Sequence, residues 1–209
     1  MQDEMSRQEL TERFDVIERM IAEGRRRTES WGWTFLLWGV AYYVAIAWAT
    51  WGQELSVWGD GRHWPAWPVT MIATFFLAMA IGMRKSRGQP GTTMVRAIVS
   101  VWICAGISMM CLFPAMSLAG VPANQHDFVA IVAAMMGVTN GASGIILKWK
   151  TQVACAVVWW ITSAASCFGS DMQLAIVFLS AIFLCQIVFG IYVMVLESRQ
   201  RKQGGVAHA

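Results

Sequence analysis

Apolar and polar positions divide this chain into a mixed-charge leader of about 30 residues followed by long apolar runs with short polar breaks. The first run, Trp31 to Trp51, is 21 residues without a charge. At 1.5 Å per residue it is long enough to cross ~30 Å of hydrocarbon. Five more runs follow, at about 66–83, 94–119, 128–147, 151–169 and 172–196. The pattern predicts an all-α, polytopic membrane protein: a bundle of six transmembrane helices, an N-terminal cytoplasmic amphipathic helix over 1–30 and a cytoplasmic tail over 197–209.

The breaks carry the topology. Arg25, Arg26 and Arg27 precede the first run; Arg84, Lys85, Arg87 and Arg96 lie between the second and third. Lys148 and Lys150 separate the fourth and fifth, and Arg199, Arg201 and Lys202 follow the sixth. Of the 16 Lys and Arg residues, only Arg62 falls on the opposite side of a six-span arrangement. By the positive-inside rule both termini are then cytoplasmic, and dropping any one span would scatter these clusters to both faces.

Within the leader, Leu10, Phe14, Ile17 and Ile21 are spaced four, three and four apart, the spacing of a narrow apolar seam on a helix. Glu9 with Arg13, Asp15 with Arg19 and Glu23 with Arg27 add acid-before-base pairs at i, i+4. Six arginines against eight carboxylates over residues 1–30 leave −2. A helix adsorbed on anionic lipid is normally basic on its polar face, so the seam predicts a protein partner, either a second copy or another protein. Gly24 and Thr28-Glu29-Ser30 offer a break before the first span; one continuous helix is the alternative.

Composition agrees with this class. The chain of 209 residues is 56% hydrophobic and 14% charged, against about 25% charged in soluble domains. The net charge of +3 matters less than its placement, and nothing in it suggests a nucleic-acid partner. Cys104, Cys111, Cys155, Cys167 and Cys185 all fall inside predicted spans, with no CxxC spacing, and read as small hydrophobes. The leader lacks the h-region and cleavage site of a signal peptide. Trp51, Trp58, Trp64 and Trp67 flank the first outer loop, and Trp31, Trp33 and Trp149 the inner face, as headgroup anchors. Spans one and five both carry paired aromatics, Tyr42-Tyr43 and Trp159-Trp160, a weak hint of repeated hairpins.

Span four holds the most distinctive polar residues. Its Gly141-Ala142-Ser143-Gly144 resembles the nucleophile motif of rhomboid intramembrane proteases, which implies a histidine base on a later span. No predicted span contains a histidine, so protease chemistry is rejected. Ala133, Gly137 and Gly141 form a small-xxx-small ridge suited to close helix packing, with Asn140 and Ser143 able to hydrogen-bond across it. A helix interrupted near Asn140 that receives a solute is the functional alternative. Pro114 is expected to kink span three.

The spans contain no ionisable residue well inside the bilayer, which disfavours proton-coupled transport and a histidine-ligated haem, and no cofactor is expected. Asp60, His63, His126 and Asp127 on the outer loops are the right types for a divalent ion, but solvated loop side chains are the commoner outcome, and no metal site is assigned. His208 lies in a Gly-rich tail expected to be disordered. The leading expectation is a non-enzymatic interaction or regulatory protein of the cell membrane, most simply a bacterial inner membrane, that pairs through Leu10, Phe14, Ile17 and Ile21. The second is a channel or carrier for a small neutral solute, lined by the polar inner half of span four.

Overall fold

A computed structural model describes residues 2–51, 66–85, 93–121 and 124–206, with the backbone alone at 2–8, 10, 25–29, 117 and 200–206. Every statement of absence below refers to these residues. The segment predicted as an outer loop, with Trp58, Asp60, His63 and Trp64, the basic Arg87 and the tail residue His208 lie outside them.

The described chain is helical between its turns, with no strand. Helix α1 spans Gln2–Glu29, α2 Gly32–Trp51, α3 Ala66–Lys85 and α4 Thr93–Leu118. Helix α5 spans Gln125–Ile146, α6 Lys150–Ala165 and α7 Asp171–Ile182, which continues through a π-helical stretch, Phe183–Val188, into α8, Phe189–Val206. The leader is therefore a helix of its own, separated from α2 by a turn at Ser30 and Trp31 in which Thr34 N–H donates to Trp31 O at 2.7 Å. Helix α4 runs through Pro114 without a break.

Five segments are long and apolar enough to cross a membrane: Gly32–Trp51, Ala66–Lys85, Thr93–Met116, Gln125–Ile146 and Asp171–Arg199. The predicted fifth span, 151–169, is helical over only 16 residues, Lys150–Ala165, or roughly 24 Å of rise. Local chemistry ends it early. Gly169 adopts φ +90, open to glycine at little cost. Ser170 and Gln173 then form a reciprocal capping box, Ser170 N–H donating to Gln173 Oε1 at 3.0 Å and Gln173 N–H to Ser170 Oγ at 3.5 Å. Helix α5 begins three residues before the apolar run because Asn124 caps it, its side chain accepting from Asp127 N–H at 2.8 Å.

The chain forms two compact units. One comprises Met1–Glu29 and Gly91–Ala181, hence α1 and α4 to α7 up to Ala181; the other comprises Ser30–Pro90 and Ile182–Ala209. In the first unit α5 and α6 are an antiparallel hairpin closed along its length. A Cβ added at Gly144 would meet Val153 N at 2.8 Å, one at Gly141 would meet Ala156 Cβ at 3.4 Å, and one at Gly137 would strike the Trp160 indole. Toward the other end Ser163 Oγ donates to Ala130 O at 2.9 Å. From Gly144 to Gly137, each step back along α5 is answered by an equal step forward along α6. The connection is short: Leu147 N–H donates to Ser143 O at 3.0 Å, Trp149 N–H to Gly144 O at 2.7 Å, and Lys148 takes φ +49 between them.

In the second unit α2 lies against the π-helical stretch and α8. A Cβ at Gly190 would come within 3.0 Å of both Gly32 O and Leu36 N, and one at Gly39 within 2.8 Å of Gln186 Cβ. Phe35 and Phe189 meet edge to face with centroids 5.0 Å apart. Tyr42 and Trp67 join α2 to α3 at 5.9 Å, and Lys85 Nζ sits 4.9 Å from the centre of the Trp33 ring.

Candidate functional site

The five residues singled out in α5 divide by face. Gly137 and Gly141 face α6, where the Trp160 indole covers both, and the buried Ala133 lies one turn before Gly137 on the same ridge. Ser143 points away from α6 toward α4, its Oγ accepting from Trp102 Nε1 at 3.2 Å. Asn140 lies between these directions, a position fixed by the 100° turn per residue. Its Nδ2 donates to Met136 O at 2.8 Å, within its own helix, and the Asn140 Oδ1 is buried with no protein donor in reach. Thr139 Oγ1 also bonds back to its own helix, at Met136 O. The helix is not interrupted near Asn140: hydrogen-bonded helix runs on to Ile146.

Two further polar side chains lie on α6: Gln152, which the sequence reading did not single out, and Trp159, which it read only as half of an aromatic pair. Gln152 is fully buried, and neither of its amide atoms has a hydrogen-bond partner. Trp159 is fully buried, with Nε1 likewise unpartnered and its ring 6.2 Å from that of Phe178 on α7. Gln152 lies two residues beyond the Lys148-Trp149-Lys150 cluster, at the edge of its apolar run, where a polar side chain is ordinary. In the second unit Gln186, within the π-helical stretch, is buried with Oε1 unpartnered. A glutamine in the middle of a long, mostly apolar run was the available signal for it.

The apolar seam of α1 is open to its surroundings over part of its length. Phe14 is 65% exposed and Ile17 51%, Met20 beside them is also exposed, and Ile21 is half-buried. The Leu10 side chain lies outside the described residues. The C-terminal third of α1 is seated: a Cβ at Gly24 would meet Met94 Cγ at 2.6 Å and Leu147 Cδ2 at 3.6 Å. Lys148 Nζ also approaches Glu18 Oε1 at 3.8 Å, a pair exposed on both sides and worth little by itself.

At the N-terminal end of α5, two residues before the apolar run starts at Phe128, His126 uses both ring nitrogens. Nδ1 lies 2.6 Å from Ser166 O and Nε2 3.0 Å from Asp171 Oδ1. A carbonyl and a carboxylate can only accept, so the arrangement is complete when both nitrogens carry protons. The Ser166 carbonyl first and the Asp171 carboxylate second hold the imidazole above its ordinary range. His126 is thereby committed to closing the corner between α5, α6 and α7. No group of three or more His, Cys, Asp or Glu side chains suited to a metal ion occurs among the described residues.

These elements define the class: an all-helical, multi-pass membrane protein. No protein-family model, curated protein or solved structure matches the chain.

Proposed function

We propose that this is a non-enzymatic integral membrane protein that pairs through α1 with a second copy of itself. Its six hydrophobic helices cross the membrane with both termini in the cytoplasm, in a bacterial inner membrane. Helix α6 is short for a span, but a bilayer thins locally at small cost, and omitting this crossing would put Lys148 and Arg199 on opposite faces. The observation that carries the pairing is the exposure of Phe14 and Ile17 on a helix outside the five membrane-competent segments. Residues 2–15 carry two arginines and five carboxylates, or −3, and residues 16–29 carry four arginines and three carboxylates, or +1. Antiparallel pairing of two α1 helices sets the acidic half of each against the basic half of the other, which favours a second copy.

Native mass in lipid nanodiscs tests this. The full chain is expected to be a dimer and the Phe14→Asp, Ile17→Asp variant a monomer. Equal masses for the two would sink the pairing. A monomer that carries a cytosolic protein lost by the variant would keep α1 as the docking helix and change its occupant.

A second reading, a channel or carrier for a small neutral solute, is favoured by the buried and unpartnered Asn140 Oδ1 in the inner half of α5. It predicts that Asn140→Leu abolishes solute flux into vesicles while the protein still inserts.

A further inference from the structure

Three fully buried side chains of the α5–α6 hairpin leave four polar atoms without a protein partner: Asn140 Oδ1, Gln152 Oε1 and Nε2, and Trp159 Nε1. Buried polar groups are nearly always hydrogen-bonded, because a group taken out of water without a new partner is costly. Four in one helix pair need a common explanation. The set is balanced, two acceptors and two donors.

Helical periodicity brings the three together on one side of the pair. Gln152 and Trp159 are seven residues apart and share a face of α6. Asn140 lies off the α5 ridge in the same sense as these two lie off Trp160 and Ala156. In the antiparallel register set by Gly141 opposite Ala156 and Gly144 opposite Val153, Asn140 is level with Val157. It therefore stands about 7.5 Å along the axis from Gln152 and about 3 Å from Trp159, at 1.5 Å per residue. Such separations are too long for the three to satisfy one another directly at the Gln152 end and short enough for one or two small molecules to bridge. Phe178 against Trp159 supplies an apolar wall.

We propose that the inner half of the α5–α6 hairpin is a binding site for a small uncharged molecule that both donates and accepts hydrogen bonds. Water is the smallest member of the class and urea a larger one. Gln152 and Trp159 are about 10.5 Å apart along α6, so two molecules in line fill the site: the Gln152 amide holds one with a donor and an acceptor, and the other donates to Asn140 Oδ1 and accepts from Trp159 Nε1. The absence of any charged side chain in the set selects against ions: a bare cation needs more acceptors and an anion needs positive charge. The proposal deepens the neutral-solute reading, from which it takes the site but not the transport.

The chain has only two asparagines, Asn140 and the exposed cap Asn124, so labelling asparagine with 15N yields one site signal and one internal control. Full-length protein in lipid bilayers is measured by solid-state NMR, following magnetisation passed from water protons to each side-chain amide. The expected result is transfer to Asn140 on the timescale seen for Asn124, reduced several-fold by Gln152→Met with Asn124 unchanged. A shift of the Asn140 signal on adding urea would identify a solute as the preferred occupant, and its constancy would identify water; either agrees with the site. Asn140 receiving nothing from water and ignoring urea would overturn the proposal, as would transfer indifferent to Gln152→Met. Should Gln152→Met disturb the Asn124 signal, Trp159→Phe removes a single donor and replaces it in the comparison. Water and urea flux into vesicles is measured separately: a hydrated Asn140 in a protein without flux leaves the site standing and removes only the transport reading.

Discussion

Substituting Gly144 by alanine tests the hairpin on which both the proposed site and the seat of α1 depend. The added Cβ would lie 2.8 Å from Val153 N, 2.8 Å from Val153 Cγ2 and 3.2 Å from Gln152 C. Two of these atoms are backbone, and the tight turn at Leu147 to Trp149 keeps them from swinging aside. Ordinary contact begins near 3.4 Å, so α6 must retreat by about 0.6 Å here, and gaps of that size forfeit roughly a quarter or more of each dispersion contact across the interface. Overpacking of this kind costs about 1–3 kcal/mol, against about 1 kcal/mol gained from the better helix propensity of alanine. Gly106 in α4 supplies the control, since a Cβ there meets nothing within 4 Å. Gly106→Ala collects the propensity gain alone, and the difference between the two variants isolates the clash at about 1–3 kcal/mol. Reversible unfolding by SDS in mixed micelles, followed by helix ellipticity, measures both. Adding Val153→Ala to Gly144→Ala should recover only part of the loss, because it removes Cγ2 and leaves the nitrogen. If Gly144→Ala proved as stable as Gly106→Ala, the close packing of α5 on α6 would be refuted.

Other perturbations address other parts. Phe14→Asp with Ile17→Asp should halve the native mass in nanodiscs while leaving membrane insertion unchanged, as fractionation would verify. His126 has a folded pKa raised above the unfolded value near 6.5, so its stabilising contribution is full below about pH 6.5 and disappears as pH rises through the folded value. The unfolding midpoint of the wild type should therefore exceed that of His126→Gln most at acid pH and converge on it in alkali; a pH-independent gap would contradict the two-donor geometry. Trp102→Phe removes the bond to Ser143 and should cost about 1 kcal/mol, with a double-mutant cycle against Ser143→Ala returning a coupling of roughly 0.6 kcal/mol.

Much of the architecture was legible along the chain because the bilayer constrains it so strongly. Runs such as Trp31–Trp51 announce helices by length alone, since backbone groups in lipid must be satisfied internally, and α2, α3 and α4 fall within a few residues of their predicted ends. A helix in the leader was legible from its i, i+4 pairs, whereas its separation from α2 by the turn at Ser30 and Trp31 was left open between two readings. End points set by single side chains were harder. The Asn124 cap and the Ser170–Gln173 box set where α5 and α7 begin, and hydropathy carries no record of which polar residue folds back onto a backbone amide.

The candidate site shows the same limit more sharply. Asn140, Gly137 and Gly141 stood out as polar or small residues in an apolar run, so the α5 side of the hairpin could be read in advance. Gln152 and Trp159 could not: Gln152 lies two residues from Lys150 at the edge of its run, and Trp159 is half of an aromatic pair in an apolar stretch where nothing marks its indole N–H as unpartnered. Residue types and spacing determined that this protein is helical, membrane-embedded and equipped with an apolar stripe on its leader. Only tertiary structure decided that Trp160 covers the glycine ridge, that Ser143 bonds to Trp102 while Asn140 keeps an unpartnered oxygen, and that Gln152 is buried. The physical reason is that burial and hydrogen-bond satisfaction belong to pairs of elements, and a sequence states them one element at a time.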